Sequence, residues 1–234
     1  MSLMVGSARI DENGKISGGK PGDQTGNEVS TQPYYVHSKG WICMRPKSVA
    51  VANAIAEAMT QACKNNNIGY CQGHRTTVIE QLRKSGSLAK ISAKTEADCS
   101  SLVRACCIQA GFDPGNFNTS AEVSALKASK QFMEPITVTS GTKLYNGDIL
   151  VTKTKGHTVA VVSGNPRQAF SHYPKYKGAS GSIVTALAAV GEKDTSKAHR
   201  AKIAAANGIK NYAYTAAQNL EMVNLLKKGK LIKA

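Results

Sequence analysis

The chain has 234 residues, 41% of them hydrophobic, enough to bury the core of one ordinary domain plus an appendage. No run approaches the roughly 18 consecutive apolar residues that a membrane-spanning helix needs, so no transmembrane segment is expected. Thirty Lys and Arg against fifteen Asp and Glu give a net charge of +15, which draws the protein toward polyanions such as nucleic acid, acidic membranes or wall polymers. Nucleic acid is disfavoured, because no recognisable binding motif is present and only 6% of residues are aromatic.

The opening Met1-Ser2-Leu3-Met4-Val5-Gly6-Ser7 lacks the apolar stretch of a secretory signal, and its second methionine reads as a cloning leader. Residues 8–40 are dense in Gly, Asn, Asp, Ser and Lys and read as loops with at most short strands. Tyr34, Tyr35 and Val36, then Trp41, Ile42 and Met44, predict one or two strands. After Pro46, apolar Val49, Ala52, Ile55, Ala56, Met59 and Cys63 recur at helical spacing until Asn65-Asn66-Asn67 stops the helix. Further helices are expected over 74–84, over 99–110 and after a cap at Thr119 or Ser120.

From there the pattern turns to strands, over 136–139, 149–152, 158–162 and 169–172, with a turn at Gly164-Asn165. Helices first and an antiparallel sheet afterwards make an α+β fold. The composition shifts beyond Gly191, so residues 1–191 read as one domain and 192–234 as a basic linker and C-terminal helical tail. Between Lys193 and Lys233, nine Lys and Arg face two acidic residues, a net +7 that is nearly half of the whole charge. The amphipathic stretch 215–227, with Leu220, Met222, Val223, Leu225 and Leu226, can lie on a membrane, bind a partner or pack on its own domain.

The six cysteines contain no CxxC pair, so neither a dense disulfide framework nor a zinc site is expected. Cys99 stands apart because it opens an apolar helix, where the positive end of the helix dipole favours thiolate. That position is expected to lower its pKa and leave it partly exposed. His157 precedes an apolar strand 58 residues downstream and can act as its base, giving acyl transfer through a thioester. Asp98 and Ser100 flank the nucleophile and can place polar groups beside the attacked carbonyl, as can Tyr70 from the segment before the helix.

Asp98-Cys99-Ser100-Ser101-Leu102-Val103 resembles the nucleophile motif of the NlpC-type papain-like cell-wall hydrolases, with Ser101 where they usually have glycine. Gly147-Asp148-Ile149-Leu150 followed by Gly156-His157-Thr158-Val159-Ala160-Val161 resembles their second signature, and Ile68-Gly69-Tyr70 is similar to their upstream tyrosine motif. Gly18-Gly19-Lys20-Pro21-Gly22-Asp23-Gln24-Thr25-Gly26 resembles the N-terminal part of phage endolysins and prophage wall hydrolases of this group. The resemblance implies a papain-like core with the nucleophile helix packed on an antiparallel sheet, and no cofactor or metal. It implies a lytic enzyme of Gram-positive hosts that cuts an amide of the peptidoglycan stem peptide, with anionic wall polymers as further partners. Such an enzyme reaches the wall by phage-type release, or outside the cell after removal of a leader.

A third catalytic position in that family is a polar residue on the strand after the histidine. His172 is favoured here because a strand residue reaches the far ring nitrogen most readily, with Asn165 and Gln168 as alternatives. A non-catalytic wall-binding module and a papain-like acyltransferase remain as rival functions.

Overall fold

Short runs of small and apolar residues build the sheet, and the longer amphipathic runs cover one of its faces. The computed structural model describes residues 2–165 and 171–234, and divides the chain into two units, Met1–Gln168 and Ala169–Ala234. The first unit begins with strands β1 (Met4–Ala8), β2 (Val29–Pro33) and β3 (Trp41–Met44), then helix α1 (Val49–Ala62). Strand β4 (Ile68–Tyr70), helix α2 (Thr77–Ser85), a 3-10 turn (Leu88–Lys90) and strand β5 (Thr95–Ala97) lead to helix α3 (Cys99–Gln109). Helix α4 (Glu122–Ala128) precedes strands β6 (Ile136–Thr137), β7 (Ile149–Thr152) and β8 (Thr158–Ser163).

Six strands form one antiparallel sheet in the order β2-β1-β8-β7-β3-β6, and β4 pairs in parallel with β5 in a separate ribbon. With seven helices among the described residues, this is the expected α+β class. The helices α1 and α3 pack on β1 and β8. The main core lies on that side, with Ile55, Met59, Leu102, Val103, Ile149 and Ala160 buried in it. The opposite face carries its own apolar cluster of Val5, Trp41, Leu150, Val159 and Val161. Strands β7 and β8 are thus covered on both faces, which explains their continuous apolar sequence.

Residues Met4–Ala8 are part of this sheet: β1 lies between β2 and β8. The alternation that marks a half-buried strand is absent from Met4-Val5-Gly6-Ser7-Ala8, because small residues are needed where α1 and α3 press on it. Helix α1 starts at Val49, later than Pro46, because the Ser48 hydroxyl caps it by accepting the Val51 N–H. Helix α4 starts after Ala121 without a side-chain cap; Asn118 instead receives the Ser120 N–H at 3.0 Å.

The second unit holds helices α5 (Ile183–Ala189), α6 (Lys197–Ala206) and α7 (Ala216–Lys227). Tyr173, Tyr176, Ile183, Leu187, Ile203, Met222, Val223 and Leu226 form its buried core. Residues before Gly191 therefore contribute to this core, and the unit begins earlier than the composition shift predicts. The alanine-rich stretch hides two helices because its alanines supply helix propensity without a clear apolar stripe. The amphipathic α7 buries Met222, Val223 and Leu226 in its own unit, while Leu220 is exposed. No helix of the described residues is long and apolar enough to cross a membrane. Strand 169–172 is not formed at Ser171, and His172 makes only an isolated bridge to Ile232; residues 169 and 170 lie outside the described residues.

Gly147 is required by the approach of β7 to α1. Its φ is +79°, and a Cβ there would sit 2.0 Å from the Ala52 carbonyl oxygen. Its neighbour Asp148 is fully buried and takes a two-pronged bond from Arg45, Nε at 3.0 Å and Nη2 at 2.8 Å. The Gly-Asp signature is therefore a folding device in this chain. Gly147→Ala should lower stability by about 3 kcal/mol or more, combining left-handed strain with a backbone clash. Gly141, with open space around its Cβ position, should tolerate alanine within about 0.5 kcal/mol. Urea unfolding midpoints of the two variants check this, and equal midpoints would contradict it.

Candidate active site

Helix α3 begins at Cys99 because Asp98 caps it. Asp98 is extended (φ −97, ψ 177); its Oδ1 accepts the Ser101 N–H at 2.7 Å while Ser101 Oγ accepts the Asp98 N–H at 2.9 Å. This reciprocal capping box gives Ser101 a task that glycine could not perform. Oδ1 also accepts the Ser100 hydroxyl at 3.0 Å, and Oδ2 accepts Arg75 Nε at 2.8 Å. Arg75 extends the brace, donating to Ser100 Oγ at 3.1 Å, to Asn116 Oδ1 at 3.1 Å and to the Phe117 carbonyl. Asp98 and Ser100 are thus engaged in holding the helix start, which differs from the expectation that they line the substrate. Arg75 carried no signal in the sequence, because an arginine in a turn looks like any solvated charge.

Cys99 is 8% exposed, and its sulfur lies close to the backbone of Ser100 and of Thr158. Thr158 is the first residue of β8 and directly follows His157, so the helix start and the strand start meet here. The thiol is not activated in the manner expected from the helix dipole. Burial above all, then the Asp98 and Glu122 carboxyls, push its pKa up to about 12. His157 moves the other way, to about 4, because of burial first and then the charges of His37 and Arg9. The resting pair is therefore a neutral thiol and a neutral imidazole.

The backbone of His157 is pinned to β7 by its N–H on Thr152 Oγ1 at 3.1 Å and by its carbonyl, which accepts the Thr152 N–H at 3.0 Å. Its ring lies 6.3 Å from that of Trp41, which in turn lies 5.2 Å from the His37 ring. Tyr70 is brought toward Cys99: burial raises its phenol pKa, and the Cys99 sulfur adds to that rise. Its backbone N–H donates to Glu28 at 3.0 Å.

Two groups near the sulfur were not foreseen. Glu122 is fully buried; Oε1 accepts the Thr158 hydroxyl at 2.8 Å and Oε2 has no partner. Burial raises its pKa well above the usual carboxyl range. Tyr35 also feels the Cys99 sulfur, and it hydrogen-bonds Gln32, whose Oε1 accepts Arg9 Nη1 at 3.0 Å. Gln32 sits on β2 and Arg9 follows β1, strands that the turn-rich composition concealed.

The three candidates for the third position have the following surroundings. The strand beside β8 is β1, from the start of the chain, and not a strand that follows the histidine. His172 is exposed in the second unit, where it bridges Ile232. Asn165 is occupied with the Leu144 carbonyl, through its side-chain Nδ2 at 3.0 Å. Gln168 lies outside the described residues. Among the described residues one group has donor atoms close enough to share a metal ion, Cys71, His74 and Glu96, and it includes neither Cys99 nor His157.

Residues 5–168, which hold every residue of this site, match the endolysin-like domain family. The chain belongs to that family. The match takes in β1 and β2 as well as the Cys99 and His157 segments, and it leaves out the second unit. An endolysin-like domain fits a lytic role at the cell wall, with peptidoglycan as substrate. No curated protein and no solved structure matches the chain.

The lowered pKa of His157 makes stability depend on pH in a defined window. An unfolded chain protonates this histidine below about pH 6.5, whereas the folded endolysin-like domain keeps it neutral down to about pH 4. Its contribution is fully present above pH 6.5 and is lost as pH falls toward 4. His157→Gln should therefore narrow the gap between urea unfolding midpoints at pH 7 and pH 4.5. An unchanged gap would show that the folded protein accepts the proton at His157 without cost.

Proposed function

We propose that this endolysin-like domain hydrolyses an amide bond of the peptidoglycan stem peptide, with Cys99 as nucleophile and His157 as base. The observation that supports this reading is the closeness of the Cys99 sulfur to the backbone of Thr158, the residue that follows His157. Since both groups rest neutral, the thiol proton passes to His157 as sulfur attacks the carbonyl, not before. His157 then protonates the departing amine, leaving a thioester that water cleaves with His157 again as base. Tyr70, whose phenol feels the sulfur, is the substrate-binding residue of this scheme. Asp98, Ser100 and Arg75 act through the helix start and are positioning residues. The NlpC-like motif residues around Cys99 and His157 support this chemistry over a purely binding role.

Cys99→Ala should fold normally and lower turnover on purified walls by at least about 1000-fold, as loss of a nucleophile does. Cys106→Ala, a change in the core of α3, should mainly cost stability. Mass spectrometry of the released muropeptides identifies the bond: a new free amino group marks an endopeptidase, and separation of lactyl from alanine marks an amidase. Incorporation of an added amine marks an acyltransferase instead. Full turnover by Cys99→Ala would end the cysteine mechanism.

Positive charge supports attraction to anionic Gram-positive wall polymers, with the second unit contributing eleven Lys and Arg against three acidic residues. Exposed charges of this kind are screened over a Debye length of about 8 Å at physiological ionic strength. Pull-down of the full chain on walls should weaken steeply with added salt, and teichoic-acid-free walls should bind less at low salt. Salt-insensitive retention on both walls would rule out electrostatic anchoring.

A further inference from the structure

A second cluster of chemically active side chains lies at the β4–β5 ribbon. Cys71 follows β4, His74 lies in the turn before α2, and Glu96 is on β5. The parallel register of the ribbon, Tyr70 opposite Ala97, brings Cys71 and Glu96 to the same end, and the Cys71 N–H on the Ala97 carbonyl at 3.0 Å fixes it. Cys71 Sγ lies 3.7 Å from His74 Nδ1, and His74 Nδ1 lies 3.3 Å from Glu96 Oε2. All three donor atoms fall within 4.8 Å of one another.

The sulfur–nitrogen and nitrogen–oxygen separations match two edges of a metal tetrahedron. Zinc–ligand bonds of about 2.3 Å to sulfur and about 2.0–2.2 Å to nitrogen and oxygen place tetrahedral ligands roughly 3.6 Å (S to N) and 3.4 Å (N to O) apart. A histidine–carboxylate ion pair explains two of the three groups but not the sulfur. It also leaves the other carboxylate oxygen, Glu96 Oε1, buried without a partner on a side chain only 5% exposed. An orphaned buried carboxylate oxygen costs free energy that a cation would recover.

The surroundings shape the sulfur's position. A Cβ on Gly18 would lie 2.2 Å from Cys71 Sγ, so only glycine lets the N-terminal loop close over it. The His74 backbone N–H points to the sulfur at 3.4 Å, the kind of bond that orients a thiolate ligand. The sulfur's own hydrogen now faces the Ser17 carbonyl at 3.4 Å.

We propose that Cys71, His74 and Glu96 bind one zinc-class divalent ion, with water at the fourth position. Thiolate, imidazole and carboxylate together select a borderline transition ion over magnesium or calcium. Binding exchanges the Cys71 thiol proton for the metal–sulfur bond, and the proton leaves to solvent. The ion ties the end of β4, beside Tyr70, to the strand that runs into Asp98 and Cys99. Its role is to fix the segment from which the nucleophile helix starts, without touching the reacting atoms.

The test uses full-length Cys99→Ala protein stripped with chelator, so that the site thiol does not compete. Cobalt(II) added to it should produce a thiolate-to-cobalt charge-transfer band that saturates at one equivalent and disappears when zinc displaces the cobalt. The band should vanish in a Cys71→Ser background, and the titration should weaken at least tenfold with His74→Ala. His74 is 71% exposed, so His74→Ala should fold with an unchanged circular dichroism spectrum. Zinc should also raise the thermal midpoint of the chelated protein, and the rise should be lost with Glu96→Gln. Absence of the band at saturating cobalt, or the same titration in His74→Ala and Cys71→Ser, would overturn the assignment. Neither outcome depends on whether Cys99 is catalytic.

Discussion

The hold of Asp98 on the first turn of α3 is the interaction on which the site depends. One carboxylate satisfies the Ser101 N–H, receives the Ser100 hydroxyl and anchors Arg75, while the Ser101 hydroxyl returns a bond to the Asp98 backbone. The helix therefore cannot start one residue earlier or later, and Cys99 occupies its first position. Arg75 carries the same constraint outward to the Phe117 carbonyl and Asn116, just before α4. Helix α4 then places Glu122 on the Thr158 hydroxyl. Removing Arg75 would leave a buried carboxylate partly unpaired, which is the costly half of any buried ion pair. The chain thus fixes a nucleophile helix and a histidine strand through one polar network instead of through apolar packing alone.

The electrostatics of that arrangement are decided by magnitude. A helix N-terminus favours an anion by about 0.3–1 kcal/mol, and by about 2 in sheltered geometry. Raising a thiol from 9.0 to about 12 corresponds to about 4 kcal/mol against the thiolate. Burial, with two carboxyls nearby, therefore outweighs the dipole. The same seclusion lowers His157, so each member of the pair is held in its neutral form. A substrate that fills the site displaces water but brings a carbonyl on which negative charge develops. In the cysteine mechanism proposed above, proton transfer from Cys99 to His157 is coupled to attack, and a reactive thiolate is not exposed to oxidants between turnovers.

Much of the fold could be read from the chain because periodicity and capping coincide. Strand β7 was predicted with its observed bounds, since its continuous apolar run is what a strand covered on both faces requires. Helix α3 was predicted within one residue for a different reason: Asp98 is a strong cap and Gly111, at φ +99°, is a strong stop. Strand β1 was missed because Gly6, Ser7 and Ala8 are too small to signal a strand, yet smallness is what the approach of α1 demands. A Cβ on Gly6 would lie 2.7 Å from Met59 Cγ. Strand β1 is thereby the neighbour of β8 on the side away from β7.

Cys99 and His157 were legible for the same reason that Glu122, Arg75 and Glu96 were not. A cysteine at a helix start and a histidine at a strand start are unusual residues in unusual places, so local context is enough to single them out. A glutamate or arginine in a short polar segment is the commonest surface pattern, and only burial distinguishes it. Glu96 is the sharpest case: it lies between Thr95 and Ala97 in a strand of three residues, all buried, where a solvated charge has no place. Its carboxylate is kept there by the parallel partner strand, which delivers a thiol and an imidazole from a turn more than twenty positions earlier. Sequence spacing cannot reveal such a meeting, because the register of a parallel ribbon is set by the crossover between its strands and not by either strand alone. Chemistry assembled by topology in this way becomes visible only when the two strands are seen side by side.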